Sequence, residues 1–83
     1  APWCGPCRAL GPVLERIATA MGDAVRIVKI NVDDNPESAR RYGVRSIPYV
    51  VAFRDGEVVD KFVGALPQAQ VQAFVDRQLA RAE

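Results

Sequence analysis

The chain has no histidine, one tryptophan, one methionine and only two cysteines in 83 residues. Each scarcity excludes something. A closed zinc site takes four Cys, His or carboxylate ligands, with at least two beyond a single cysteine pair. With no histidine and no third cysteine, an internal site of that kind is excluded. Covalent haem attachment needs a histidine directly after the second cysteine, where Arg8 stands. Two cysteines are too few for a disulfide-stapled secreted scaffold. No apolar run approaches the ~20 residues of a membrane span. No charge sign dominates: 11 basic and 10 acidic residues are interspersed, for a net charge of +1. That balance gives neither a nucleic-acid footprint nor a polybasic membrane patch. The mild cluster Arg40, Arg41 and Arg45 reads as a solvated face. No signal peptide is visible. The chain starts at Ala1 without a Met, so it reads as an excerpt and its targeting stays open.

What is present is ordinary for one small globular domain over residues 1–83: 49% hydrophobic and 25% charged. Leu10, Val13, Leu14, Ile17, Ala18 and Met21 fall at helical spacing and form one buried stripe. Pro12 interrupts that helix and predicts a kink, because it removes one backbone hydrogen bond. Gly22 ends it. Residues 25–32 are β-branched with apolar side chains on both faces, which predicts a strand inside an α/β sheet. Asn35 is a candidate N-cap and Pro36 a first-turn residue of a short helix to Tyr42, closed by Gly43. Residues 44–48 read as a loop. Residues 49–53 and 58–63 read as a hairpin around Asp55-Gly56, a pair that tolerates positive φ. Gly64 stops the second strand. Leu66 and Pro67 start a last helix with the stripe Val71, Phe74, Val75 and Leu79. Its polar tail, 77–83, is expected to fray.

The chemistry concentrates in Trp3-Cys4-Gly5-Pro6-Cys7. Two cysteines separated by two residues form a small reversible disulfide. Cys4 falls at a helix N-terminus, where free amide N–H groups and the macrodipole favour a thiolate. Cys4 is therefore the candidate nucleophile on a substrate disulfide, and Cys7 the thiol that resolves the mixed disulfide. Gly5 keeps the turn open and Pro6 presets helical φ. A purely structural disulfide across so short a loop would stabilise little. Trp3 is either core or a contact surface beside the nucleophile. Lys29 is either a snorkelling or edge lysine or the charge partner of a buried acid, and no such acid is evident. Pro48 is either a trans residue leading into a strand, the usual case, or a cis one.

Ala1 to Cys7, Pro12, Val32-Asp33, Asn35-Pro36, Tyr42 to Arg45, Ile47-Pro48, Asp55-Gly56 and Val63 to Ala65 stand in an order and spacing that resemble the thioredoxin family, bacterial type. The resemblance runs from Ala1 to about Ala80. It implies a thioredoxin-like α/β fold, three layers α/β/α around a central mixed sheet, with the N-terminal strand–helix–strand absent. It implies a protein-disulfide reductase with no bound cofactor, recharged from NADPH by thioredoxin reductase and acting on disulfide-containing proteins. It also implies a cytoplasmic monomer that binds neither nucleic acid nor membrane. Cys4 is then the exposed nucleophile and Cys7 the buried resolving thiol. Pro48 is cis and faces them. Trp3, Ile47, Pro48, Gly64 and Ala65 line a substrate groove, and Lys29 and Pro12 support it. The family's central strand, which carries a buried aspartate near the lysine equivalent to Lys29, would precede Ala1. An upstream reading frame of about 25–35 residues is therefore expected. Without that strand, a gap beside residues 25–32 and a poorly stable isolated chain are expected. Two other functions compete: a non-enzymatic binding or subunit module, and a thiol oxidase or isomerase of the same fold.

Overall fold

The computed structural model describes residues 1–80. Helix α1 spans Gly5–Met21, a 3-10 turn follows over Gly22–Ala24, and α2 spans Pro36–Arg41. Strands β1 (Tyr49–Arg54) and β2 (Glu57–Val63) precede α3 (Gln68–Ala80).

Helix α1 forms where its stripe predicts. Leu10 and Ile17 are buried, and Val13, Leu14 and Met21 pack beside them. The helix continues unbroken through Pro12. Gly22, at φ 58°, closes the helix by donating its N–H to Ala18 O. Helix α2 ends in a Schellman motif: Val44 N–H donates to Ala39 O at 2.9 Å and Gly43 N–H to Arg40 O at 3.2 Å. Gly43, at φ 67°, supplies the left-handed residue this motif requires. Asn35 occupies the N-cap position of α2, but its side chain does not cap. Its Nδ2 donates instead to Asn31 O at 2.8 Å.

β1 and β2 pair antiparallel, from Tyr49 opposite Val63 to Arg54 opposite Glu57. The turn between them has positive φ at both Asp55 (53°) and Gly56 (80°). That conformation matches the right-handed strand twist. The register slips between Ala52 and Phe53. The hairpin separates two layers. Val50, Ala52 and Phe62 pack into the core of Leu10, Ile17, Val71, Phe74 and Val75 from α1 and α3. On the other face, Phe53 meets the Tyr42 ring edge-on at 5.6 Å. Tyr49 Oη also donates to Tyr42 O at 3.3 Å there, next to the C-terminal end of α2. Helices thus lie on both faces of the hairpin, as a three-layer α/β/α arrangement requires.

The expected strand over 25–32 is corrected. Among the described residues the sheet has two strands, and 25–32 belongs to neither. A strand exists through its ladder, and side-chain pattern cannot supply a partner. Val28 and Ile30 consequently stand 65% and 56% exposed instead of buried on two faces. Lys29 Nζ pairs with Glu15 Oε1 of α1 at 3.1 Å, and both side chains are exposed. Its partner is a surface acid.

Helix α3 begins at Gln68, slightly later than expected, with Pro67 O accepting from Gln70 and Val71. Residues 77–80 do not fray. Arg77 Nε and Gln78 Nε2 donate to Asp60 Oδ2 at 2.9 and 2.7 Å, Gln78 Nε2 also reaches Phe74 O, and Arg54 Nη2 donates to Gln78 O. Arg81, Ala82 and Glu83 of the expected tail lie outside the described residues.

The hydrogen bonds from Gln78 and Arg77 hold the Asp60 carboxyl down at about 2, against an ordinary 3.8. A depressed acid contributes stability that is complete above its unfolded value and lost as pH falls through its folded value. Asp60 therefore contributes fully above about pH 4, and its contribution disappears on the way down to about pH 2. Asp60→Asn should make the urea midpoint less dependent on pH between about 4 and 2. An unchanged slope in the variant would remove Asp60 from the acid limb.

Candidate functional site

The site is built on the first turn of α1. Cys4 is its N-cap, extended at φ −88° and ψ 107°, and Gly5 and Pro6 begin the helix. Pro6 costs no helical bond there, because the first-turn N–H groups have no intrahelical acceptor. The Cys4 sulfur accepts from Cys7 N–H at 3.2 Å, while the Cys4 carbonyl accepts from Arg8 N–H at 3.1 Å. Cys4 and Cys7 are joined by a disulfide across a Cα–Cα distance of 5.2 Å. A sulfur in this position lies against the free amide end of a 17-residue helix. That environment stabilises the thiolate formed when the disulfide opens.

One expectation about the pair reverses. Cys4 is 5% exposed, and Cys7 is half-buried. Cys4 N–H donates to Ala1 O at 3.1 Å, which closes residues 1–4 into a turn, and Cys7 lies one helical turn further on.

Trp3 is 68% exposed, which excludes the core reading. Its indole Nε1 donates to Asp33 Oδ2 at 2.7 Å. Trp3 and Ile47 line one open depression, together with Val32, Val44 and Arg45. The Ile47–Pro48 peptide bond is cis, and Pro48 is buried. Pro48 O accepts from Gly64 N–H at 2.8 Å, extending the hairpin pairing by one bond. Gly64 turns the chain at φ 98°, a conformation that favours glycine, and leaves Ala65 exposed. The structure therefore brings Trp3 to Ile47, and Pro48 to Gly64. Lys29 and Pro12 lie apart from this group. Lys29 Nζ sits against the outer face of α1 at Glu15 and Gly11, and Pro12 is exposed in mid-helix.

Asp33 stands in the sequence as part of the Val32-Asp33 motif, with no site role assigned to it. The alternation Asn31, Asp33, Asn35 was the available signal, since short polar side chains hydrogen-bond the backbone of nearby turns. Among the described residues, no group of His, Cys, Asp or Glu could hold a metal ion. No helix among them is long and apolar enough to cross a membrane.

A family model described as thioredoxin matches residues 1–77. Thioredoxin 1 of Synechococcus elongatus is 48% identical over 79 residues, which cover 95% of this chain and 74% of that protein. Thioredoxin of Bacillus subtilis is 51% identical over 79 residues, covering 95% of this chain and 76% of that one. The crystal structure of Malassezia sympodialis thioredoxin superposes with a TM-score of 0.82 at 39% identity, covering 90% of this chain and 67% of that chain.

Proposed function

This chain belongs to the thioredoxin family, and from that premise we propose how its disulfide works. The family is one of thiol–disulfide oxidoreductases, and the chain's function is protein-disulfide reduction through the Cys-Gly-Pro-Cys pair. The observation that carries the finer assignment is the Cys4 sulfur at the N-cap of α1, accepting from Cys7 N–H.

In the reduced chain, the Cys4 thiolate attacks one sulfur of a substrate disulfide. A Cys4–substrate bond forms, the substrate S–S bond breaks, and one substrate thiolate leaves. The Cys7 thiolate then attacks Cys4 Sγ, forming Cys4–Cys7 and releasing the second substrate thiolate. The substrate gains two electrons and the chain loses two. That second step leaves the pair as a Cys4–Cys7 disulfide. Gly5 and Pro6 keep the helix start compatible with both states. Trp3, Ile47, Pro48, Gly64 and Ala65 form the docking groove, with an extended substrate segment lying beside Ile47. Pro48 faces the cysteines, and Lys29 and Pro12 support the helix that carries them. The shared depression of Trp3 and Ile47 and the Pro48–Gly64 bond support this grouping.

Electrons return from NADPH through thioredoxin reductase, and the chain serves electron transport and redox homeostasis as a cytoplasmic monomer. Its substrates are proteins with accessible disulfides.

The Cys4–Cys7 reduction potential tests this reading. Thioredoxins lie at about −270 mV and more oxidising relatives of the fold at about −120 to −180 mV. The Gly-Pro dipeptide leads us to expect the lower end, measured by equilibration with glutathione. A potential near the upper range would make the chain an oxidase or isomerase instead.

A further inference from the structure

Trp3 poses a positioning problem. At 68% exposed, its indole is not held by packing. Yet it borders the depression that also contains Ile47. Its one side-chain hydrogen bond given by the structure runs to Asp33 Oδ2. Asp33 is itself exposed, so packing does not hold it in place.

Two other bonds do. Asn31 Oδ1 accepts from Asp33 N–H at 2.9 Å, and Asn31 O accepts from Asn35 Nδ2 at 2.8 Å. The first is an Asx-type bond, in which a side-chain oxygen replaces a backbone acceptor two residues away. Together they fold residues 31–35 onto themselves. The same fold sets Val32 in the wall of the depression. Both groups that this stretch contributes to the depression, the Val32 wall and the Asp33 tether, therefore depend on Asn31.

We propose that Asn31 is a positioning residue: through the turn it closes, it holds Asp33 against the Trp3 indole and so fixes the large side chain that borders the substrate groove. This rests on the reductase reading and adds to it the device that sets how protein substrates dock. Asn31 touches neither substrate nor sulfur. Its effect falls on recognition of an extended protein segment.

The test uses Asn31→Ala, Asn31→Gln and Asn31→Asp in the full chain, with insulin as the protein disulfide. Asn31→Ala removes the acceptor, and Asn31→Gln places it one methylene too far. Asn31→Asp keeps it at the right distance. Both disrupting variants should raise KM for insulin about fivefold, the size expected from losing one hydrogen-bonded constraint, with kcat moving less. Trp3 is the only tryptophan, so its emission reports the tether directly. Its anisotropy should fall and its quenching by acrylamide should rise in both variants. Asn31→Asp should return KM and emission to near wild type.

Asn31→Gln keeps the test open if Asn31→Ala does not fold. Unchanged Trp3 anisotropy in a folded disrupting variant overturns the proposal. So does a KM rise that Asn31→Asp fails to reverse. A wild-type chain that reduces no insulin overturns the reductase reading instead. The tether is then judged by Trp3 emission alone, and unchanged anisotropy again overturns it.

Discussion

Cys4→Ser should reduce turnover of a protein disulfide to the level of the buffer, because a hydroxyl cannot form or exchange a disulfide. Cys7→Ser should behave differently. It should react once and accumulate a mixed disulfide with the substrate, detectable by mass spectrometry and released by dithiothreitol. Two features of the structure point in opposite directions here. Exposure favours Cys7 as the attacking group, since Cys4 is only 5% exposed. Helix electrostatics favours Cys4, whose sulfur sits at the N-cap and accepts an amide N–H. The thiolate is the reacting species, and its formation depends on that electrostatic setting. The exposure is that of the oxidised pair, whose sulfurs are bonded to each other. We therefore expect electrostatics to decide. A mixed disulfide trapped on Cys7 in the Cys4→Ser variant would reverse the roles. If both variants kept the full function, the chain would be a binding module.

Phe74→Ala is expected to cost about 3–5 kcal/mol of stability, read from urea unfolding. Phe74 is 6% exposed and lies in the cluster with Leu10, Ile17, Val71 and Val75. Its ring meets Phe62 of β2 edge-on at 4.9 Å. The Arg77 guanidinium also covers it, 5.4 Å from the ring centroid. One truncation therefore removes an aromatic contact between α3 and the hairpin and leaves a cavity between them. Small domains have about 5–15 kcal/mol in total, so the variant should unfold at far lower urea or not fold at all. Leu79→Ala, at the half-buried end of the same stripe, should cost clearly less. Equal costs at the two positions would mean that α3 is not anchored at Phe74.

These two expectations draw on different kinds of information. The helix stripe of α1, the Val71–Phe74–Val75 stripe and the Asp55-Gly56 hairpin were all legible in the chain. Helical spacing and left-handed turn residues are local properties, and each element formed within one or two residues of its expected bounds. The cysteine pair was legible for the same reason, since three residues of separation on a helical turn bring two sulfurs together.

Position in space decided the rest. Residues 25–32 carry a strand's side chains, but strand formation depends on a neighbouring backbone, and among the described residues none pairs with them. Lys29 needed an acid, and the one it found, Glu15, lies 14 residues away on another element. Asn35 was read as a cap because it precedes Pro36, yet its amide goes back to Asn31. The order of burial within the cysteine pair is a tertiary property, which no spacing rule contains. The sequence by itself determined that two thiols would meet at the start of a helix, because that follows from bonds along one short stretch. Only the tertiary structure decided that Trp3 stands in solvent, tied across 30 residues to Asp33 and lining one depression with Ile47, because contacts between distant residues are set by how the elements pack.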